Sequence, residues 1–257
     1  MRKLGLPLIL ILSLAIMVSW RFRMPLSSLW HTATSGLELR LHQKIQPDPK
    51  MYRMLTQDLE HWRKNLAERH RKAKNTTERA VVEADARAVL EQALPAMMRC
   101  WLGTPWDFNG TAKAPGAGKI ACGYFVATIL KDAGFQVDRY QLAQQPAGNI
   151  LHTFLPKKSC TLTVGEDYQA FATDTERREP GVYIVGLDTH VGFLIVANNT
   201  LRFIHSSGSQ PWCVVNESKA NAGVLQRSSW RMLGNLTADL GVLKRWLKTE
   251  KIVVRGA

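Results

Sequence analysis

The four cysteines of this 257-residue chain, Cys100, Cys122, Cys160 and Cys213, include no C-x-x-C pair. Structural zinc sites are usually built from such closely spaced pairs, so we expect no structural zinc site. The chain also lacks an internal repeat and a low-complexity tract, which excludes a repeat protein. Its apolar content of 46% fits a folded domain and excludes a largely disordered chain.

Acidic residues are fewer than basic residues. Asp and Glu number 21 against 34 Lys and Arg, which gives a net charge of +13. Such a field favours anionic surroundings, namely nucleic acid, membrane headgroups or a cell-wall polymer. The positive excess is spread along the chain and forms no basic stripe, so we expect no nucleic-acid partner.

The N-terminus has no charge over residues 4–20, where every residue but a few small ones is strongly apolar. Two basic residues precede this run, and Arg21 and Arg23 follow it. Residues 1–23 are therefore interpreted as a signal peptide or a membrane anchor. Both alternatives predict an exported protein, periplasmic or extracellular, and the anchor would associate with the membrane through residues 4–20.

An exported protein can form disulfide bonds, because it leaves the reducing cytosol. One bond is allowed among Cys100, Cys160 and Cys213, and the pair Cys160–Cys213 is one candidate. Cysteine counting does not settle the pairing, because an odd number remains if Cys122 is kept free for chemistry.

Helical patterns occupy the first half of the chain. A helix is predicted from apolar residues that recur at spacings of three and four: Met51, Leu55, Leu59, Trp62 and Leu66. Residues 24–75 are thus assigned to a helical N-terminal extension. A second helix should begin near Asn75, which can cap it together with Glu78. A third should begin at or near Cys122 and end at Gly134.

Strand patterns dominate the second half. Residues 135–178 are predicted to be rich in loops, with one strand. Strand signals lie at residues 160–164, 181–186, 190–198, 201–206 and 210–216. The turn dipeptide Asn198-Asn199 joins two of these strands into a hairpin. Helices that are followed by antiparallel strands indicate an α+β fold.

Cys122 is the first candidate for chemistry. A helix N-terminus stabilises a thiolate through its free N–H groups and its dipole. Gly123 is expected to leave the surroundings uncrowded, so that an acyl group can approach. The alternative is that Cys122 is a buried, small apolar residue that happens to start a helix.

A nucleophilic cysteine needs a base, and His190 and His205 are the best placed of the seven histidines. The hairpin makes them cross-strand or diagonal neighbours, so one imidazole can act as the base and the other can hold it. Two ordinary strand histidines are the alternative. Asp188 is interpreted as a turn residue rather than as the group that orients the base.

Five short segments resemble the NlpC-type family of papain-like cysteine peptidases, which cleave amide bonds in bacterial cell-wall peptides. That family shows "GTPYxWGG", "DCSGF", "PGDLVFF", "HVGIYL" and "IHAS" in this order. The present chain has "GTPWDFNGT" (103–111), "ACGYF" (121–125), "PGVYIV" (180–185), "HVGFLI" (190–195) and "FIHSS" (203–207).

The resemblance implies a papain-like catalytic domain at residues 76–257, in which a helix that bears the nucleophile packs on an antiparallel sheet. It implies Cys122 as nucleophile, His190 as base and His205 as the residue that orients the base. Trp106 and Gly123 are implied to contact the substrate. The family's Asp before the cysteine is replaced by Ala121, the Ser after it by Gly123, and the Tyr of the first segment by Trp106.

The implied function is hydrolysis of amide bonds in peptidoglycan peptides, through a Cys-His-His triad and a thioester intermediate. This chemistry requires no metal and no organic cofactor. Two alternatives stay open from the sequence. One is an acyltransferase or lipid-directed thiol enzyme of the same fold at the membrane, and the other is a non-catalytic binding module. The oligomeric state is not predicted.

Overall fold

Two long helices, α1 (Pro49–Lys72) and α2 (Thr76–Arg99), come first in the computed structural model, which describes residues 46–257. The predicted cap of α2 is confirmed, because Asn75 Oδ1 accepts a hydrogen bond from the Glu78 N–H at 2.8 Å. The Glu78 carboxylate accepts in return from the Lys74 N–H at 2.7 Å. Helix α2 then continues through Pro95.

The predicted signal peptide or anchor lies outside the described residues. No helix within residues 46–257 is both long enough and apolar enough to cross a membrane.

Helix α1 shares a core with the rest of the domain. Its residues Leu59 and Leu66 are buried in the same apolar cluster as Trp101 and Phe125. The predicted boundary at residue 75 therefore falls inside one unit, Ile45–Ala257.

The third predicted helix is present as α3 (Cys122–Asp132). The remaining helices are short: α4 (Arg139–Ala143), α5 (Ala147–Phe154), α6 (Tyr168–Glu176), α7 (Gly223–Arg227) and α8 (Leu240–Lys248).

The loop-rich interpretation of residues 135–178 is wrong, since α4, α5 and α6 lie there. Two of these helices begin at aspartates whose carboxylates accept backbone N–H groups, Asp138 for α4 and Asp167 for α6. Such a cap satisfies the free donors of the first turn and stabilises helices too short to show a clear apolar period.

A six-stranded sheet forms the other half of the domain, with all neighbours antiparallel and the order β2-β7-β3-β4-β5-β6. Its strands are β2 (Cys160–Val164), β3 (Gly181–Leu187), β4 (Val191–Ala197), β5 (Thr200–Ser206), β6 (Val214–Ser218) and β7 (Trp230–Asn235). Two short strands, β1 (Gln136–Val137) and β8 (Lys251–Ile252), pair separately and in parallel.

The predicted hairpin is confirmed as β4 and β5. Asn198 and Asn199 have φ of 51° and 55°, the left-handed values that a two-residue hairpin turn requires.

Both faces of the sheet are covered, which explains why every residue of β3 is buried. One face, with Ile184 and Phe193, packs in the same cluster as the long helices and α3. The other face, with Leu194 and Phe203, packs against Phe171 of α6. The structure is thus an α+β arrangement of helices on an antiparallel sheet.

All four cysteines are free thiols. The candidate pair Cys160–Cys213 is excluded by the strand order, because Cys160 starts β2 and Cys213 precedes β6 at the opposite edge. Five interstrand spacings separate the edges by about 24 Å, whereas a disulfide needs Cα atoms within about 7 Å.

Candidate active site

Cys122 is the first residue of α3, and the segment before it is fixed to the sheet. Ala121, the N-cap residue, offers no side-chain acceptor to the first turn, so the side chain leaves those N–H groups uncapped. The Ser206 hydroxyl donates to the Ile120 carbonyl at 2.7 Å, and the Ala121 N–H donates to the Gly110 carbonyl at 2.9 Å. The first of these bonds connects the segment that precedes Cys122 to the strand that carries His205.

The surroundings of Cys122 favour the neutral thiol at rest. Burial raises the pKa of the Cys122 thiol, and hydrogen bonds from the N–H groups of Val191, Gly123 and Cys122 itself offset only part of that rise. The expected stabilisation by the helix start is therefore real but smaller than the effect of desolvation. A thiol in this state would need a base to take its proton before it could act as a nucleophile.

His190 and His205 form a direct pair. His190 Nε2 lies 2.7 Å from His205 Nδ1, and the two rings are nearly perpendicular at 89°. On its other side, His205 Nε2 lies 3.0 Å from Glu217 Oε2. His205 is fully buried, and the Glu217 side chain is 19% exposed. Three side chains thus form one continuous chain of hydrogen bonds.

This chain follows a diagonal across three strands. Phe203 faces Glu217 in the β5–β6 register, so Glu217 is the diagonal neighbour of His205 on the next strand. His190 stands in the same relation on the other side, one residue before β4. The hairpin pattern in the sequence indicates the two histidines but not Glu217. Only the pairing of β6 with β5 reveals Glu217, because the predicted strand at 210–216 ends one residue before it.

Glu217 determines where the protons lie. An ionised carboxylate only accepts, so His205 must carry its proton on Nε2 and present a bare Nδ1. His190 must then donate from Nε2 to that atom, which leaves Nδ1 of His190 unprotonated. His190 Nδ1 is consequently the ring nitrogen free to accept a thiol proton. No hydrogen bond joins Cys122 to an imidazole among the described residues, and a loose nucleophile–base contact is common before substrate binds.

Both imidazoles are kept neutral. Burial, with an added effect of His205, lowers the pKa of His190 to about 3. Burial also lowers the pKa of His205, and Glu217 opposes this decrease. A neutral imidazole is the form that can act as a general base.

Close packing holds the pair in place. The His205 ring stacks on Phe203, with centroids 4.0 Å apart and planes at 16°. Gly192 lies beneath them, and a Cβ there would come within 2.7 Å of the Phe203 ring and 2.8 Å of the His205 Cβ. The glycine of the "HVGFL" segment is thus required by the close approach of these rings.

A cleft of about 810 Å³ opens over Cys122 and His190. Trp106 and Gly123, the two predicted substrate contacts, both line it. The indole of Trp106 packs against that of Trp212 with ring centroids 5.5 Å apart. The cleft is therefore lined by four of the five predicted residues, and the fifth, His205, lies behind it and contacts His190.

Gly123 does not leave open space, contrary to expectation. A Cβ at this position would lie 2.3 Å from the carbonyl oxygen of Ala143. The missing side chain therefore allows the end of α4 to approach α3, and it does not serve to admit an acyl group.

Asp188 also lines the cleft, but its carboxylate already accepts three hydrogen bonds. It accepts hydrogen bonds from the Ser228 hydroxyl and from the N–H groups of Ser229 and Trp230, at 2.8–2.9 Å. The first of these N–H groups, with the Ser228 hydroxyl, lowers the pKa of Asp188. The interpretation as a turn residue is consistent with these contacts.

A second cysteine–histidine pair lies elsewhere. Cys160 Sγ is 3.8 Å from His152 Nδ1, but burial and nearby Asp239 raise the pKa of Cys160 to about 11. Neither residue lines the cleft. No cluster of three or more potential metal ligands occurs within residues 46–257.

Comparison with protein-family models, with curated proteins and with solved structures gives no match for this chain.

Proposed function

We propose that the protein is an exported cysteine peptidase or amidase of papain-like type that hydrolyses amide bonds, with peptidoglycan peptides as its substrate. The observation that carries the proposal is the chain His190–His205–Glu217, which ends in the cleft that Cys122 also lines. A helix that starts with the nucleophile and packs on an antiparallel sheet that supplies the base is consistent with the papain-like resemblance.

In the first half-reaction the Cys122 sulfur attacks the amide carbonyl while its proton moves to His190 Nδ1. His190 then becomes a cation, and its Nε2–H donates to His205, which Glu217 holds in the required tautomer. The carbonyl oxygen becomes an oxyanion, and N–H groups at the uncapped start of α3 are suitable donors to it. Collapse of the intermediate breaks the C–N bond as His190 returns its proton to the leaving amine, which leaves a thioester on Cys122.

In the second half-reaction water replaces the amine. His190 Nδ1 accepts a proton from water as its oxygen attacks the thioester. The C–S bond then breaks, the proton passes to the thiolate, and a carboxylic acid product leaves. Each residue returns to its initial protonation state, so no further reactant is required.

Three features together support this substrate class. The apolar run at residues 4–20 favours export, the net charge of +13 favours an anionic polymer, and the five motif segments resemble those of cell-wall peptidases. The cell wall combines an exported location, negative charge and amide bonds.

The test is digestion of purified sacculi, with released peptides followed by mass spectrometry. We expect release by the wild type and none by Cys122→Ala, while Cys160→Ala, the cysteine of the other pair, stays active. Equal release by Cys122→Ala, or no release by the folded wild type, would overturn the proposal. In the latter case, a non-catalytic binding module would be the better account.

A further inference from the structure

Two residues with a permanent charge line the cleft, Asp188 and Arg227. Of these two, Arg227 has no partner among the described residues. It is exposed, stands at the end of α7, and lines the same cleft as Cys122 and His190. Within residues 46–257 its guanidinium makes no hydrogen bond or salt bridge, whereas ten of the fifteen arginines in that range bond to another side chain or to a backbone carbonyl. Arg87, for example, bonds to Glu91 and Glu179.

The backbone beside Arg227 leaves room for its guanidinium. A Cβ at Gly223 would stand 3.0 Å from Arg227 Nη1. The guanidinium thus lies against a residue without a side chain, one turn back along its own helix.

The carboxylates near the cleft already have hydrogen-bond or ion-pair partners. Asp188 accepts from Ser228, Ser229 and Trp230, and Asp107, beside the cleft, pairs with Lys119 at 3.1 Å. Position 121, directly before the nucleophile, is an alanine. The lining therefore offers one free cation and, among the described residues, no free carboxylate.

From this balance we infer that Arg227 forms an anion subsite, so that the preferred substrate carries a carboxylate close to its scissile amide. Guanidinium groups bind carboxylates through two parallel hydrogen bonds, which gives orientation as well as attraction. A substrate with a free amine at this place would meet like charge. The inference rests on the proposed function for the meaning of "substrate", but the subsite itself can be tested without turnover.

The probe is a pair of alkylating agents, iodoacetate and iodoacetamide, which differ mainly in charge. Rates at Cys122 are measured by peptide mass spectrometry at about pH 8.5, near the ordinary thiol pKa. The informative quantity is the ratio of the two rates, because it cancels the intrinsic reactivity of the thiol.

We expect Arg227→Gln to lower the iodoacetate-to-iodoacetamide ratio roughly two- to fivefold, as an exposed ion pair allows. Arg227→Lys should keep most of the ratio, and high salt should reduce it in the wild type. Arg177→Gln is the matched control, since Arg177 is also exposed at a helix end but does not line the cleft. An unchanged ratio in Arg227→Gln, or an equal fall in Arg177→Gln, would overturn the inference.

The two proposals fail separately. If sacculi are not digested but the ratio falls in Arg227→Gln, the anion subsite stands and the hydrolytic function does not. If digestion depends on Cys122 while the ratio is unchanged, the function stands and the subsite is wrong. Circular dichroism of each variant checks that the fold is retained.

Discussion

Glu217 Oε2 lies 3.0 Å from Nε2 of the fully buried His205, and this contact fixes the direction of every hydrogen bond toward the cleft. The carboxylate does not reach the reacting atoms. It acts through His205, which in turn acts through His190 at 2.7 Å. In the proposed mechanism Glu217 is therefore a positioning residue, and its removal should alter proton positions before it alters the fold.

Glu217→Ala should reduce kcat by about ten- to a hundredfold, by analogy with the groups that orient metal-bound histidines. Glu217→Gln is the matched variant, since its amide oxygen can still accept from His205 Nε2–H and should retain more activity. Nitrogen NMR of the imidazoles reports the tautomer directly. Full activity of Glu217→Ala with an unchanged tautomer of His205 would contradict this role.

The pH profile should be flat on the acid side of neutrality. Burial lowers the pKa of His190 to about 3, so the neutral base persists far below the ordinary histidine value. We expect kcat/KM to stay constant from pH 7 down to about pH 5, as long as the protein is folded. An acid limb centred near pH 6.5 would show that His190 titrates as an ordinary exposed histidine.

Folding stability, unlike kcat/KM, should fall as the pH drops below about 6.5. Because both histidines have lowered pKa values in the folded state, the unfolded chain binds more protons below pH 6.5. Their contribution to stability is intact above that pH and is lost as pH falls toward the folded-state values. The free energy of unfolding should decrease by up to about 1.4 kcal/mol per pH unit for each histidine.

Urea unfolding of the wild type and of His190→Gln between about pH 6.5 and 5.5 measures this slope with little interference from carboxylates. His190→Gln should show the shallower dependence. Equal slopes in the two proteins would exclude a titration of His190 linked to unfolding.

Gly192→Ala should damage both stability and activity. The new methyl group would overlap the Phe203 ring and His205, and such overpacking typically costs about 1–3 kcal/mol. Gly148→Ala is the control, since its nearest neighbour, Trp230, would be 3.7 Å away. In a helix that change should be neutral or stabilising, by up to about 1 kcal/mol. Thermal unfolding and peptide release distinguish the two variants, and equal behaviour would refute the packing argument.

Ser206→Ala tests the link between the two halves of the site. The buried hydroxyl donates to Ile120, two residues before Cys122, and Ser206 follows His205 directly. Loss of the bond leaves a buried carbonyl without this donor, so unfolding free energy should fall by about 1–3 kcal/mol. We also expect a lower kcat at unchanged KM. A variant that loses stability but keeps kcat would show that the bond serves the fold alone.

Local patterns predicted those parts of the fold whose causes are local. The Asn75–Glu78 cap and the Asn198-Asn199 turn each depend on a few neighbouring residues, and both are present. The turn also sets the register that makes His190 and His205 diagonal neighbours, so the sequence was enough to bring these two together.

Features that depend on distant segments were not predictable in this way. The pairing of β6 with β5 brings Glu217 to His205, and nothing near residue 217 signals it. The role of Gly123 is set by the carbonyl of Ala143, which belongs to another helix. The disulfide candidate failed for the same reason, because strand order is a property of the whole sheet.

The most direct test of the central claim, that Cys122 is a nucleophile served by His190, is detection of the thioester. Soluble cell-wall peptides are mixed with the enzyme, the reaction is quenched with acid within one turnover, and each cysteine is analysed by mass spectrometry. We predict an acyl group on Cys122 and none on Cys160, with much less acylation of Cys122 in His190→Ala. Peptide cleavage with the acyl group on another cysteine, or undiminished acylation in His190→Ala, would contradict the account.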